Sequence, residues 1–373
     1  MRAVIIGAGA SGISCAIRLK QNNNDCEVIV LEHLDAPCKK IFATGNGRCN
    51  ITNKNADGFE AVRAFLESTG LVLRYDSSGR AYPYSNQAGT VVDAFMQCCR
   101  KYDIKIITDC KVYRTEKIGN TFNIFSDKGI FNADALVLAT GGKSQSALGS
   151  DGSGYEIAKA FCHTVTPLSP ALVQLKSSTK NCRALKGMRT KCSVSIEINA
   201  QKAAEEYGEV LFTDYGLSGI VTMDLSKYIS DRRIEEKTDR CTAVLDFIPE
   251  MSEEQLLAHI EKFGTLAGIL PSKLCAILNK QAEGDSRKAV KYAKNWRVII
   301  TGTKGYSFAQ ITNGGVSNSE LTAANESTLC SSLYIIGELT DNQFSCGGFN
   351  LNYAILSAVR AADDMSKKKY DTD

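Results

Sequence analysis

The chain opens on an unbroken apolar run, RAVII at 2–6, which reads as a strand buried on both faces. GAGASG follows at 7–12, then a helical stretch from Ile13 to Lys20 that Asn22, Asn23 and Asn24 break. EVIVLE at 27–32 forms a second buried strand. A strand, a glycine turn, a helix and a second strand predict the start of a parallel α/β sheet. Residues 59–68 and 90–102 carry helical periodicity. From 104 the pattern becomes strand-like: IKIITDCKVYRTEK, NTFNIFS and GIFNAD, with a Gly119-Asn120 turn. ALVLATGG at 135–142 is another buried strand running into glycine.

Beyond about 170 polar and apolar residues alternate, as in KCSVSIEIN at 191–199, followed by GEVLF and DYGLSGI. This predicts an antiparallel β domain over 171–250, with strands returning at 297–311. Residues 251–296 read as a small helical domain, in which Ser252 caps a helix before two glutamates. The segments 1–170 and 312–373 read as two parts of one α/β domain. The second part holds LYIIGE at 333–338, a loop to Asn350 and a terminal helix. The tail 367–373 reads as frayed.

Composition narrows the class. The 373 residues are 44% hydrophobic and 23% charged, as in ordinary globular proteins. A net charge of +3, from 44 basic and 41 acidic residues, argues against nucleic acid or an anionic membrane as the main partner. The 14 cysteines are scattered without a C-x-x-C, and there are only 3 histidines. That argues against a zinc site, a metal centre or a thioredoxin-like pair. The cysteines are expected to be small core residues in a reduced, cytoplasmic protein. Arg2 leads straight into a strand, so no signal peptide is expected, and the apolar runs are too short to span a membrane.

The glycine turn carries the first chemistry. Gly7 makes the tight turn, Gly9 lets backbone approach a pyrophosphate and Gly12 packs helix on strand, with Ala10 and Ser11 opening the helix. The helix N-terminus offers unpaired N–H groups and a partial positive charge. Glu32, at the end of the second strand, is placed to accept from adenosine-ribose hydroxyls, which disfavours a 2′-phosphate. The ligand expected is FAD or NAD. Thr140, Gly141 and Gly142 would pass close to it. At the C-terminal return, Gly337 with Glu338 or Asp341 is placed to hold a ribityl chain. Gly347, Gly348, Phe349 and Asn350 open the last helix against a flavin edge. These two later contacts favour FAD. KKIFATGNGRCNITN at 39–53 clusters cations, glycines and asparagines. Lys40 and Arg48 can meet phosphate, while Gly45 and Gly47 let backbone lie against a planar ring. Asn50 and Val112 complete the candidate cofactor set. Cys49 reads as packing rather than as a redox thiol.

At these motifs the sequence resembles the BaiN/YhiN-type family of FAD-binding oxidoreductases, also described as aminoacetone-oxidase-family FAD-binding enzymes. The resemblance runs through GAGASG, KKIFATGNGRCNITN, ALVLATGG, DGSGYEIAKAFCHTVTPLSPALVQL, GEVLFTDYGLSG, TGTKGYSFAQITNGGVS and the GELTD to CGGFNLNYA close. It implies an α/β fold: a Rossmann-like FAD domain of glutathione-reductase type, with an antiparallel, barrel-like β domain and a small helical domain inserted. Two departures stand out. The family's usual Asp-x-Asp-Gly run before the glycine pair is DNQFSCGGFN here, and Tyr353 and Ala354 occupy the region of a usual Trp.

The resemblance implies two activities. One is NAD(P)H-dependent reduction of C=C bonds in 3-oxo-Δ4 bile-acid intermediates; the other is oxidation of aminoacetone with release of hydrogen peroxide. No second dinucleotide fingerprint is visible, so NAD(P)H is expected to dock transiently. Reduced flavin would give hydride to an electron-poor β-carbon while an acid protonates the α-carbon. Tyr82, Tyr215, Tyr306 and Tyr353 lie in family-like loops, but each reads more readily as packing or lid; His33 and His163 are equally uncommitted. The leading expectation is an enone reductase acting on a small, steroid-like molecule. An amine oxidase is the alternative, and a non-catalytic or RNA-associated flavoprotein a third. Neither the substrate nor the oligomeric state is legible.

Overall fold

The computed structural model describes residues 1–368, so the tail expected to fray lies mostly outside them. The chain divides into two compact units, Met1–Leu168 with Ile311–Asp373, and Ser169–Gln310.

The first unit is built on a five-stranded parallel sheet. Its order is Leu333–Ile335, Ala135–Leu138, Arg2–Ile6, Glu27–Leu31 and Lys105–Ile107. Alternation along each strand feeds two cores, because successive side chains point to opposite faces. Ala3, Ile5, Val28, Val30, Ala135 and Val137 pack against the helices Ala10–Asn22, Ala88–Lys101 and Phe349–Met365. Val4, Ile6, Ile29, Leu31, Leu136 and Leu138 face the other way, onto the helix Ser153–Ala160 and a three-stranded meander. That meander comprises Val112–Ile118, Thr121–Ser126 and Gly129–Ala133. The run read from sequence as one strand from 104 is two elements, 105–107 in the parallel sheet and 112–118 in the meander. A small sheet of Thr52–Asn53, Leu73–Tyr75 and Arg80–Pro83 was not anticipated. Its strands are too short to show alternation.

The strand order reverses between Arg2–Ile6 and Ala135–Leu138. The crevice beyond the carboxyl ends of the strands at such a reversal is where open α/β sheets bind ligands.

The second unit is a closed six-stranded antiparallel barrel, in the order Leu175–Ser177, Gly216–Ser218, Gln201–Phe212, Arg189–Ile198, Cys241–Asp246 and Trp296–Thr303. Pairing of the last strand with the first closes it. The helices Glu253–Phe263, Ser272–Ala282 and Ser286–Lys294 were read as a domain of their own. They share one apolar core with the barrel. Phe212, Phe247 and Trp296 stack there with centroids 5.5–6.4 Å apart, and Trp296 Nε1 donates to Gln281 Oε1 on a helix at 3.0 Å. Each such ring pair adds about 0.5–1.5 kcal/mol beyond area burial. Among the described residues, no helix is long and apolar enough to cross a membrane.

Candidate functional site

The glycines at 7–12 occupy the reversal crevice, and their geometry separates their tasks. Gly7 has φ +103°, and a Cβ on it would lie 2.5 Å from the Ala139 carbonyl oxygen. A Cβ on Gly12 would lie 1.9 Å from the Gly7 oxygen, so this glycine sets the helix–strand contact. A Cβ on Gly9 meets nothing within 4 Å, which leaves the backbone open on that side. The helix that begins at Ala10 and Ser11 has neither a capping side chain nor an acidic residue in its first turn. Its first N–H groups and partial positive charge face a potential anion.

Glu32 sits as expected beside this loop, but it has a structural task as well. Its Oε2 accepts from Ala8 N–H at 2.8 Å and its Oε1 from Leu34 N–H at 2.9 Å. Burial pushes its carboxyl up, but hydrogen bonds from His33, Leu34 and Ala8 outweigh this and hold it below the usual range. His33 Nδ1 lies 3.2 Å from Glu32, and that bond raises the imidazole pKa. With Leu34 and His33 both on Oε1, it is Oε2 that keeps a lone pair for a ribose hydroxyl. Val112 is a buried side chain of the meander core. It lies just past Cys110, whose N–H donates to the Glu32 carbonyl at 2.9 Å.

A second set converges on Glu338. Lys40 Nζ lies 2.7 Å from its Oε2, so Lys40 is paired rather than free for phosphate. Thr312 N–H donates to its Oε1 at 3.0 Å. A Cβ on Gly142 would sit 2.7 Å from that same Oε1, and one on Gly337 would strike Ser11 Oγ at 2.6 Å. Thr140 and Gly141 form the adjoining turn, packed by Gly154 and Ser150 respectively. Thr312, whose Oγ1 accepts from Lys143 N–H at 2.7 Å, was missed from sequence. Its signal was the TNGG run within TGTKGYSFAQITNGGVS. Asp341 lies further along and accepts from Gln343 Nε2 at 2.9 Å.

The third set joins the 44–53 loop to the last helix. Asn46 and Cys49 take positive φ beside Gly45 and Gly47, an uncommon conformation outside glycine. Arg48 lies over the Tyr82 ring at 5.0 Å, and Gly47 is exposed. Asn53 Nδ2 donates to the Gly347 carbonyl at 2.9 Å, and Thr52 Oγ1 to Asn352 Oδ1 at 2.6 Å. Neither asparagine was singled out from sequence. Asn350 braces its own loop, accepting from Phe344 N–H at 3.0 Å. A Cβ on Gly348 would lie 2.7 Å from Asn50 Oδ1, an atom that is buried and has no hydrogen-bond partner. The helix that starts at Phe349 likewise lacks a capping side chain and an acidic first turn. An orphaned buried acceptor, an open glycine backbone and two uncapped helix starts in one unit fit a dinucleotide cofactor with a polar ring edge.

The uncommitted candidates separate. His163 uses both ring nitrogens, on Glu320 at 3.0 Å and Ser327 at 2.8 Å. The Tyr353 hydroxyl contacts Thr340 Oγ1 at 3.1 Å and accepts from Asn342 Nδ2 at 2.7 Å. Tyr82 is buried under Arg48. Tyr215 and Tyr306 belong to the barrel unit. The 14 cysteines are all thiols and 11 are buried. Burial pushes the Cys49 thiol up to about 11, the opposite of a reactive thiolate.

A parallel sheet with this glycine turn and C-terminal return, joined to an antiparallel barrel, defines an FAD-dependent oxidoreductase. The chain belongs to the family described as HI0933-like protein Rossmann domain, which it matches over residues 1–59 and 58–364. It is 34% identical to the 3-dehydro-bile acid delta(4,6)-reductase of Clostridium scindens, over 94% of this chain and 95% of that protein. It is 27% identical to the ribosomal RNA dihydrouridine synthase of Escherichia coli, over 98% of each. Among solved structures it is similar to 3-ketosteroid delta1-dehydrogenase from Sterolibacterium denitrificans, with a TM-score of 0.56 at 11% identity. That match covers 98% of this chain and 99% of the other, and it reports the fold alone.

Proposed function

We propose that this oxidoreductase saturates a C=C bond conjugated to a carbonyl, in a small enone of the steroid or bile-acid kind, with NAD(P)H as a transient donor. The observation that carries this reading is the near-full-length likeness to a 3-dehydro-bile acid delta(4,6)-reductase. The second relative points to the same bond chemistry. Dihydrouridine is uridine saturated at C5–C6, a double bond conjugated to the C4 carbonyl. Bound FAD supplies the hydride, delivered to the carbon β to the carbonyl.

The chain's own residues would hold the cofactor. The N–H groups that begin at Ala10 and Ser11 face the pyrophosphate, and Glu32 receives the ribose hydroxyls. Glu338, oriented by Lys40 and Thr312, meets the ribityl chain. Asn50 Oδ1 would be the acceptor for a ring N–H, and the uncapped helix start at Phe349 would favour negative charge beside it.

A second reading, favoured by the RNA-acting relative, places the reducible double bond in a uridine of RNA. The test is anaerobic mixing. NADH or NADPH should bleach the flavin, and a 3-oxo-Δ4 steroid should restore its colour. Bleaching by a small amine, with neither nicotinamide effective, would leave the amine oxidase in its place. Reoxidation by a uridine-containing RNA but by no free enone would select the second reading.

A further inference from the structure

The small sheet of the first unit gathers two arginines against two tyrosines. Arg74 lies directly opposite Tyr82 across the ladder of Leu73–Tyr75 with Arg80–Pro83. Tyr84 N–H donates to the Val72 carbonyl at 2.8 Å, which carries the same pairing one step on. Residues two apart along a strand share a face, so Val72, Arg74, Tyr82 and Tyr84 project to one side. Arg74 lies over the Tyr84 ring at 4.2 Å, and Arg48, from the neighbouring loop, over the Tyr82 ring at 5.0 Å. Tyr82 is buried by this packing, whereas Tyr84 is 62% exposed with Arg74 on one side of its ring.

A ring that holds a guanidinium flat leaves the N–H groups at the guanidinium's edge free for a phosphate. Arg48 spends one donor, Nε, on the Gly45 carbonyl at 3.3 Å. Among the described residues, neither Arg48 nor Arg74 has a carboxylate within 4.0 Å. The acid on this face, Asp76, is engaged elsewhere. It accepts from Ser78 N–H at 2.9 Å and Arg80 N–H at 3.0 Å, and lies 3.8 Å from Arg80 Nε. Arg48 stands two residues before Asn50, whose buried, unpartnered Oδ1 marks the ring edge of the cofactor site. A nicotinamide donor must place its nicotinamide at that ring, then a pyrophosphate, then an adenosine. The order Asn50, Arg48, Arg74 and Tyr84 meets those needs in turn. The contrast with Glu32 selects between the two donors. A carboxylate, as at Glu32, suits the free hydroxyls of a ribose, whereas an arginine without a carboxylate suits a 2′-phosphate. Arg74 is such an arginine, beside the ring that would take the adenine.

We infer that this face docks NADPH in preference to NADH: Arg48 meets the pyrophosphate, Arg74 the 2′-phosphate and the open side of Tyr84 the adenine. The inference rests on the reading above that a nicotinamide donor reduces the flavin; NADPH passes a hydride to bound FAD and leaves as NADP⁺. The test is anaerobic stopped-flow bleaching of the FAD-loaded protein over a range of NADPH or of NADH, with an apparent Kd taken from saturation of the rate. The wild type should bind NADPH at least about tenfold tighter than NADH, the worth of a charge-assisted bond. Arg74→Gln should raise the NADPH Kd by about that factor and the NADH Kd far less. A merely structural role for Arg74 would weaken both donors alike and would overturn the assignment. Arg48→Gln should raise the Kd of both donors, because both carry the pyrophosphate. Arg114→Gln removes an arginine that lies over the Phe125 ring at 4.8 Å in the meander, and should change neither. All three arginines are exposed, so flavin absorbance and the melting midpoint certify the folds of the variants. Flavin lost from Arg48→Gln would return that arginine to the phosphates of FAD and overturn the dock. Equal affinity for the two donors, or a preference for NADH, would also overturn it while leaving a nicotinamide donor in place. A flavin that neither nicotinamide bleaches would remove that reading, and the dock with it.

Discussion

Gly7 is held where an L side chain cannot follow, at φ +103° with a carbonyl oxygen 2.5 Å from any added Cβ. Gly7→Ala should therefore cost about 1–3 kcal/mol of stability. It should also release flavin, read as lost visible absorbance in the purified protein. Full flavin content in that variant would show that the turn does not position the cofactor. The Glu32–His33 pair makes a pH-dependent prediction. Glu32 has a depressed pKa, so its stabilisation is present above the ordinary carboxyl value of 4.5 and is lost as pH falls through the folded value. His33 has a raised pKa, so its share is full below 6.5 and is lost as pH rises through the folded value. The pair thus favours mildly acidic solution. Melting midpoints should fall between about pH 6 and 8, and His33→Ala should flatten that decline. The effect stays under about 1 kcal/mol because the imidazole is partly solvated. An equal slope in the variant would assign the decline elsewhere.

At the scale of elements, the helix Glu253–Phe263 shows how a local rule survives into the fold. Ser252 Oγ accepts from Gln255 N–H at 3.3 Å, and Gln255 Oε1 accepts from Ser252 N–H at 2.8 Å. Ser252→Ala should cost about 1 kcal/mol. In a unit of this size that lowers the melting midpoint by about 2–4 °C; an unchanged midpoint would mean that this end frays at no cost. The same logic explains what was legible. Ser252 could be read because a cap is a matter of neighbours in sequence. The buried strands 2–6, 27–31 and 135–138 could be read because burial on both faces leaves unbroken apolar runs. The Gly7–Gly12 turn was legible for the same local reason. Asn53, Thr312 and Asn352 were not, since each matters through a partner far along the chain: Gly347, Glu338 and Thr52. Glu338 was read as a cofactor contact, but its pairing with Lys40 depends on the parallel sheet bringing 40 and 338 together.

At the scale of the molecule, the barrel unit enters the chain as one long insertion whose ends are tied within the first unit. Val165 bridges Val316, and Thr166 N–H donates to the Gly315 carbonyl at 2.9 Å. Gly315 N–H returns a bond to Thr166 Oγ1 at 2.9 Å, and a Cβ on Gly314 would lie 2.3 Å from the Pro167 oxygen. The segments 165–167 and 314–316 that flank the insertion are thus tied to each other by contacts that the insertion does not supply. The sheet, both of its cores and all three glycine-lined sets lie outside residues 169–310. The barrel in turn has its own closed ladder and its own core. Replacing residues 169–310 with a short Gly-Ser linker should therefore leave a protein that folds cooperatively and retains FAD. The check is flavin stoichiometry by absorbance, together with a single melting transition that rises when FAD is added. A soluble but flavin-free product would mean that the barrel supplies part of the cofactor's hold, and that Gly7, Glu32, Asn50 and Glu338 do not suffice.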